Sequence, residues 1–160
     1  MMPVPQERLA EMSDQFEISR VLTRYGVAID TRQWQQLHEL FTPDARLDYS
    51  SSGAPAGSLA EIIAWMSSFL PQFHMNQHMT LNSHVEIEGD TARGRTYFLN
   101  PNSFLVDGEP RLITVGGFYV DRFVRTPDGW RIAERVQETA WVQSEDSMEV
   151  WAERTRLRAG

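Results

Sequence analysis

At His78 the hydrophobic repeat of this chain changes from three-to-four residues to two, and it does not change back. Before that point apolar residues recur on helical faces. After it they alternate with polar ones between short turns. Helices in front and hairpin-linked strands behind define an α+β fold with an antiparallel sheet, because a sheet with one apolar face needs a helical layer to cover it. A chain of 160 residues can build one such domain with a real core and is too short for two.

The helical part reads in three segments. Leu9, Met12, Phe16, Val21, Leu22, Tyr25 and Ile29 suggest one long amphipathic helix from about Glu7 to Asp30. Trp34, Leu37 and Leu40–Phe41 suggest a short second helix, ended by a turn at Thr42-Pro43-Asp44-Ala45. Arg46-Leu47-Asp48-Tyr49 reads as a first short strand, and the stretch from Ser51 to Gly57 as a loop. Ser58-Leu59-Ala60-Glu61 is a capping box that opens a third helix, continued by Ile62, Trp65, Met66 and Phe69 to Pro71.

From His78 a strand follows in which Met79, Leu81, Val85 and Ile87 alternate with His78, Thr80, Asn82, His84 and Glu86. Glu88-Gly89-Asp90 turns into a strand from Thr91 to Asn100. A longer loop holding Pro101, Asp107, Gly108 and Pro110 leads to a strand from Leu112 to Arg125. Thr126-Pro127-Asp128-Gly129 turns again, and Trp130 to Trp141 forms the last strand. Gly116-Gly117 inside a strand points to a bulge that lets the sheet bend. The domain is expected over 7–143, with 144–160 a charged tail. If the sheet curls around the helices, the space between them becomes a pocket.

A net charge of −7 leaves no basic stripe for nucleic-acid phosphates. No apolar run is long enough to cross a membrane, and the first residues have no secretory pattern. There is no cysteine, hence no disulfide and no thiolate metal site, and a cytoplasmic location is expected. The expected partners are a small hydrophobic molecule and further copies of the chain, as a homodimer or homotrimer.

Asp30 closes an apolar helical face, where the helix dipole and nearby apolar groups oppose its charge. It either lies in solvent or is paired, and a histidine such as His78 would relieve it and could then move protons. The polar face of the His78 strand is either the solvent side or the lining of a cavity. The spacing of His74, His78 and His84 straddles a helix–strand junction, so a metal is not expected. Arg135 is either a solvent-facing charge or an inward one in need of an anionic partner. Tyr49, Asn82 and Asn100 could each orient a ligand oxygen.

Taken in order, several segments resemble the SnoaL-like family of the nuclear-transport-factor-two-like (cystatin-like) superfamily. They are Tyr25-Gly26-Val27-Ala28-Ile29-Asp30, Trp34 through Asp44-Ala45, Gln77-His78, Asn82, Gly89-Asp90-Thr91-Ala92, Gly117-Phe118-Tyr119 and Asp128-Gly129-Trp130-Arg131-Ile132. The likeness covers about Glu7 to Trp141. It implies a cone, a bent antiparallel sheet wrapped around a long helix with a pocket at one end. Lyases of similar layout are scytalone dehydratase, hexachlorocyclohexane dehydrochlorinase and bile-acid 7α-dehydratase. The resemblance implies that Asp30 and His78 form a catalytic pair, with Tyr25 and Arg135 as companions. Tyr49, Trp34, Asn82 and Asn100 are the expected substrate contacts. A cofactor-independent lyase or isomerase is implied, acting on a small hydrophobic alcohol or ketone of polyketide or steroid-like character. The other reading is a binding or dimerisation module without catalysis.

Overall fold

In the computed structural model, which describes residues 4–144, the first helix α1 runs from Gln6 to Asp30. Its second half buries Ile18, Val21, Leu22, Tyr25, Ala28 and Ile29, the spacing of one helical stripe. Leu9, Met12 and Phe16 do not extend that stripe. They are 52, 57 and 64% exposed. At 3.6 residues per turn they fall on roughly the opposite side of the helix from Ile18, because the step from Phe16 to Val21 breaks the repeat.

The helix stops where Thr31 N–H bonds Val27 O and Arg32 takes the left-handed conformation, φ 56°. The short helix α2, Trp34–Leu40, follows, and Phe41 leaves it with extended backbone angles. The first strand, β1, therefore spans Phe41–Asp48 instead of beginning at Arg46 after a turn, and Tyr49 lies just past its end. Pro43 sits where the register against the last strand shifts, between Phe41 and Arg46, so its missing N–H breaks no ladder bond.

After a 3-10 turn at Ser50–Ser52, strand β2 (Ala56–Ser58) leads into α3 (Leu59–Phe69). The capping box is formed: Glu61 N–H donates to Ser58 Oγ at 3.4 Å, and Ser58 N–H to Glu61 Oε2 at 2.8 Å. A 3-10 turn at Leu70–Gln72 and the two-residue strand β3 (Met75–Asn76) precede β4 (Met79–Glu88), so His78 stands before that strand and not within it. The remaining strands are longer than their sequence suggests: β5 Thr91–Val106, β6 Glu109–Thr126 and β7 Gly129–Ser144. The loop expected around Pro101 is strand. Only Asp107 and Gly108, both with positive φ, turn the chain. The charged tail lies outside the described residues, apart from its first residue, Ser144.

The seven strands form one sheet in the order β2-β1-β7-β6-β5-β3, with β4 also pairing β5. All neighbours are antiparallel except β1 and β7, which are parallel. The register of β6 against β7 shifts between Gly116 and Gly117. A Cβ on Gly116 would lie 2.3 Å from the Trp141 ring, and one on Gly117 would lie 2.1 Å from Glu138 O. Only glycine permits that close approach, and the sheet bends there. The core fills the space between the helices and the concave face, with Phe98 stacked on Tyr119 at 4.5 Å.

One polar clamp holds α1 on the sheet. Arg125 of β6 grips both oxygens of Asp14 at 2.7 Å, and Trp130 of β7 donates its indole N–H to the same carboxylate at 3.0 Å. The Arg125 guanidinium also lies over the Trp130 ring. The hydrogen bond from Arg125 holds the Asp14 carboxyl below its ordinary range, against the opposing effect of burial.

Candidate active site

Asp30 and His78 meet. The last residue of α1 turns its carboxylate to the segment before β4, where His78 N–H donates to Oδ2 at 2.8 Å and to Oδ1 at 3.0 Å. The imidazole Nδ1 lies 2.6 Å from Oδ1 of the same carboxylate. Backbone and ring of one histidine are thus anchored on one aspartate. The dipole penalty of a carboxylate at a helix C-terminus is offset by these three contacts. Arg32, which could have neutralised Asp30 locally, reaches instead toward the carbonyls of Leu70 and Phe73 at 3.4 Å.

The meeting depends on Gly26. A Cβ there would stand 2.8 Å from the carbonyl oxygen of His78, so the helix must present bare backbone where the His78 segment crosses it. The last six residues of α1 therefore contribute Gly26 for the approach, Tyr25 for the cavity and Asp30 for the pairing.

The second ring nitrogen, Nε2, faces Asn100 of β5, whose Nδ2 is 3.1 Å away. A neutral imidazole donating from Nδ1 to Asp30 bears its lone pair on Nε2, and the amide N–H of Asn100 then donates to it. The Asn100 backbone oxygen accepts from Asn102 Nδ2 at 3.0 Å, and Asn102 Oδ1 accepts from Asn76 Nδ2 at 2.7 Å.

These groups line a cavity of about 170 Å³. Its aromatic and aliphatic wall comes from α3 and the turn after it, with Trp65, Met66, Phe69 and Phe73, and from the sheet, with Ile113, Val115 and Val142. Tyr25, Tyr49 and Tyr119 provide a second aromatic group, and Asn102 and Gln137 add polar edges. The hydroxyls of Tyr25 and Tyr49 are 3.0 Å apart. The Tyr119 hydroxyl bonds that of Tyr25 as well, so the three hydroxyls share two hydrogen bonds and one proton is left for a ligand. Burial raises both Tyr49 and Tyr119 well above the ordinary phenol range, so both stay neutral donors.

Three of the residues expected here from sequence need correction or refinement. Arg135 points inward but does not line the cavity. It is fully buried, bound to both oxygens of Asp121 at 2.7 Å, and sandwiched 4.2 Å from the Tyr25 and Tyr119 rings. Burial opposes its charge, but the Asp121 carboxylate outweighs burial and keeps the guanidinium protonated. The anionic partner sought for Arg135 is its cross-strand neighbour Asp121. Trp34 packs partly buried against the core, away from the cavity. Asn82 is exposed on β4, because the register of β4 against β5 shifts between Thr80 and Ser83 and breaks the alternation counted from His78. His84 is likewise in solvent, with 79% of its side chain exposed. Among the described residues no cluster of three or more His, Asp or Glu side chains is placed to hold a metal ion.

Sequence reasoning missed Asn102, Gln137 and the α3 wall as cavity lining. The signal for Asn102 was present, since it lies two residues from Asn100 on the same strand face.

A bent sheet closed by helices over an aromatic cavity is a nuclear-transport-factor-two-like, cystatin-like fold. Within it the chain belongs to the SnoaL-like domain family, which matches residues 10–136. It is 43% identical over 129 residues to the uncharacterized protein Rv2910c of Mycobacterium tuberculosis, covering 81% of this chain and 87% of that one. Among solved structures it is similar to a candidate scytalone dehydratase from Novosphingobium aromaticivorans, with TM-score 0.72, 19% identity and coverage of 88% and 91%. It is also similar to hexachlorocyclohexane dehydrochlorinase (LinA) type 2, with TM-score 0.71, 18% identity and coverage of 88% and 92%.

Proposed function

We propose that this protein is a cofactor-independent lyase or isomerase in which His78 is the general base. The observation that carries the reading is the geometry of His78. One ring nitrogen is held by Asp30, and the other faces Asn100 at the cavity wall, a place a substrate takes by displacing the Asn100 amide. Asp30 fixes the tautomer and stabilises the imidazolium that forms when the ring takes a proton. The C–H bond beside a carbonyl breaks, the proton goes to Nε2, and the electron pair moves toward the carbonyl oxygen. In an elimination the imidazolium then protonates the departing hydroxyl, which leaves as water. In an isomerisation it returns the proton to another carbon.

The cluster of Tyr25, Tyr49 and Tyr119 hydroxyls offers its one free proton to the developing oxyanion or to the leaving oxygen. Arg135 acts from behind the rings and not on the substrate itself. The similar folds of a dehydratase and a dehydrochlorinase support elimination chemistry. A cavity of about 170 Å³ suits a molecule of one or two rings, since a cavity of about 150 Å³ can enclose benzene. A four-ring steroid would extend beyond it.

The test is deuterium incorporation from heavy water into a panel of one- and two-ring ketones, followed by NMR. Wild-type protein is expected to speed exchange at the carbon next to the carbonyl, and His78→Ala to lose at least about 100-fold of that rate. Equal exchange by the His78→Ala protein would overturn the mechanism.

A further inference from the structure

The amide of Asn100 is half used. Its Nδ2 meets His78 Nε2 at 3.1 Å, while its Oδ1 is buried and has no hydrogen-bond partner among the described residues. A buried acceptor without a donor costs about 1–3 kcal/mol, so such a group in a cavity wall calls for a reason. The nearby amide cannot relieve it. Asn102 donates to the Asn100 backbone oxygen, and its own Oδ1 accepts from Asn76.

We propose that Asn100 is a positioning residue for His78 that serves both protonation states of the imidazole by turning its amide over. When the ring is neutral with its proton on Nδ1, Nε2 carries a lone pair, and Asn100 presents N–H to it. Once His78 has taken a second proton, Nε2–H would face that N–H, donor against donor. A half turn about the last side-chain bond brings Oδ1 to the same place and gives the new N–H an acceptor. Amide oxygen and nitrogen are nearly equal in size, so the turn needs no repacking. The oxygen left without a partner beside the neutral ring is then the partner of the protonated ring.

The inference rests on reading His78 as a base. It adds what holds the ring after the proton has moved. The titratable groups on the cavity side are Asp30 and Tyr25 from α1, with Tyr49 and Tyr119 across the space. The lining from α3 and its following turn, Trp65, Met66, Phe69, Leu70 and Phe73, carries no titratable group.

The test uses the full chain, without substrate, labelled with nitrogen-15 and followed by NMR through a pH titration. In the wild type, the Asn100 side-chain amide signals are expected to change in step with the His78 ring. Asn100→Asp can only accept and adds a charge, so the ring should keep its second proton to a pH higher by about one unit or more. Asn100→Leu offers the charged ring no acceptor and should move the same midpoint down. A fixed, donating amide predicts the opposite sign for Asn100→Leu, because its loss would free the neutral form of a stabilising bond. A midpoint in Asn100→Leu that rises or stays would overturn the proposal. If the variants do not fold, a wild-type amide signal that ignores the His78 titration overturns it equally. Because no substrate is present, this outcome is separate from the deuterium exchange of His78→Ala.

Discussion

Asp30 gives both of its oxygens to His78, one to the backbone alone and one shared with the ring. Asp30→Asn keeps the shape but removes the charge that orients and stabilises the imidazolium. The exchange rate is expected to fall by at least about 100-fold with little change in melting temperature. Gly26→Ala separates helix propensity from site geometry. Propensity alone favours alanine by about 1 kcal/mol in a helix interior, but its Cβ would press on the His78 carbonyl 2.8 Å away. The expected outcome is lower thermal stability together with lower exchange activity. A more stable, fully active Gly26→Ala protein would contradict the close-approach account. Asp121→Ala leaves Arg135 buried and unpaired, and should cost about 3–5 kcal/mol in denaturant unfolding. Periodicity marked Asp30 and His78 as candidates but left each between solvent and pairing, and the expectation that they meet came from the resemblance to the SnoaL-like family. The surroundings of Arg135 were not legible, because its bond to Asp121 is a matter of cross-strand register, which one strand's pattern does not contain. Asn82 was lost to a register shift that leaves no mark in the alternation.

Among the elements, α1 is tied to the sheet by Asp14, Arg125 and Trp130. Asp14 has a carboxyl pKa lowered by folding, so its contribution is present above the unfolded carboxylate range and is lost as pH falls through the folded value. Asp14→Asn is therefore expected to lower the melting temperature by about 2–4 °C near neutral pH, roughly 1 kcal/mol for a partly solvated pair. The gap between the two proteins should close below about pH 4. Melting curves across that range check the sign. Turn and cap chemistry made α3 and the hairpins at Gly89 and Gly129 readable from single residues, as with Ser58 and Glu61. Strand β1 was harder to read. Leu40-Phe41 continues an apolar helical pattern, and only the parallel partner β7 pulls Phe41 into the sheet. The segment 101–106 has loop composition but is paired on both sides, by β6 throughout and by β3 at Asn102 and Ser103.

For the molecule as a whole, stability is graded across the sheet. Strands β5, β6 and β7 have 16, 18 and 16 residues, and β6 is paired on both sides from Ile113 to Val124. The ends of the sheet path, β2 and β3, have three and two residues. Amide hydrogen exchange should be slowest in the middle of β6 and fastest in β2 and β3. The same gradient bears on how such a protein changes over time. The His78–Asp30 pair is locked by backbone, through the His78 N–H and the bare surface at Gly26. Most of the cavity wall is ordinary side chain, from Trp65 and Phe69 on α3 to Val142 on β7. Mutation can therefore resize the chamber one ring at a time without disturbing the contact between His78 and Asp30. The fold is in effect a fixed frame with exchangeable walls.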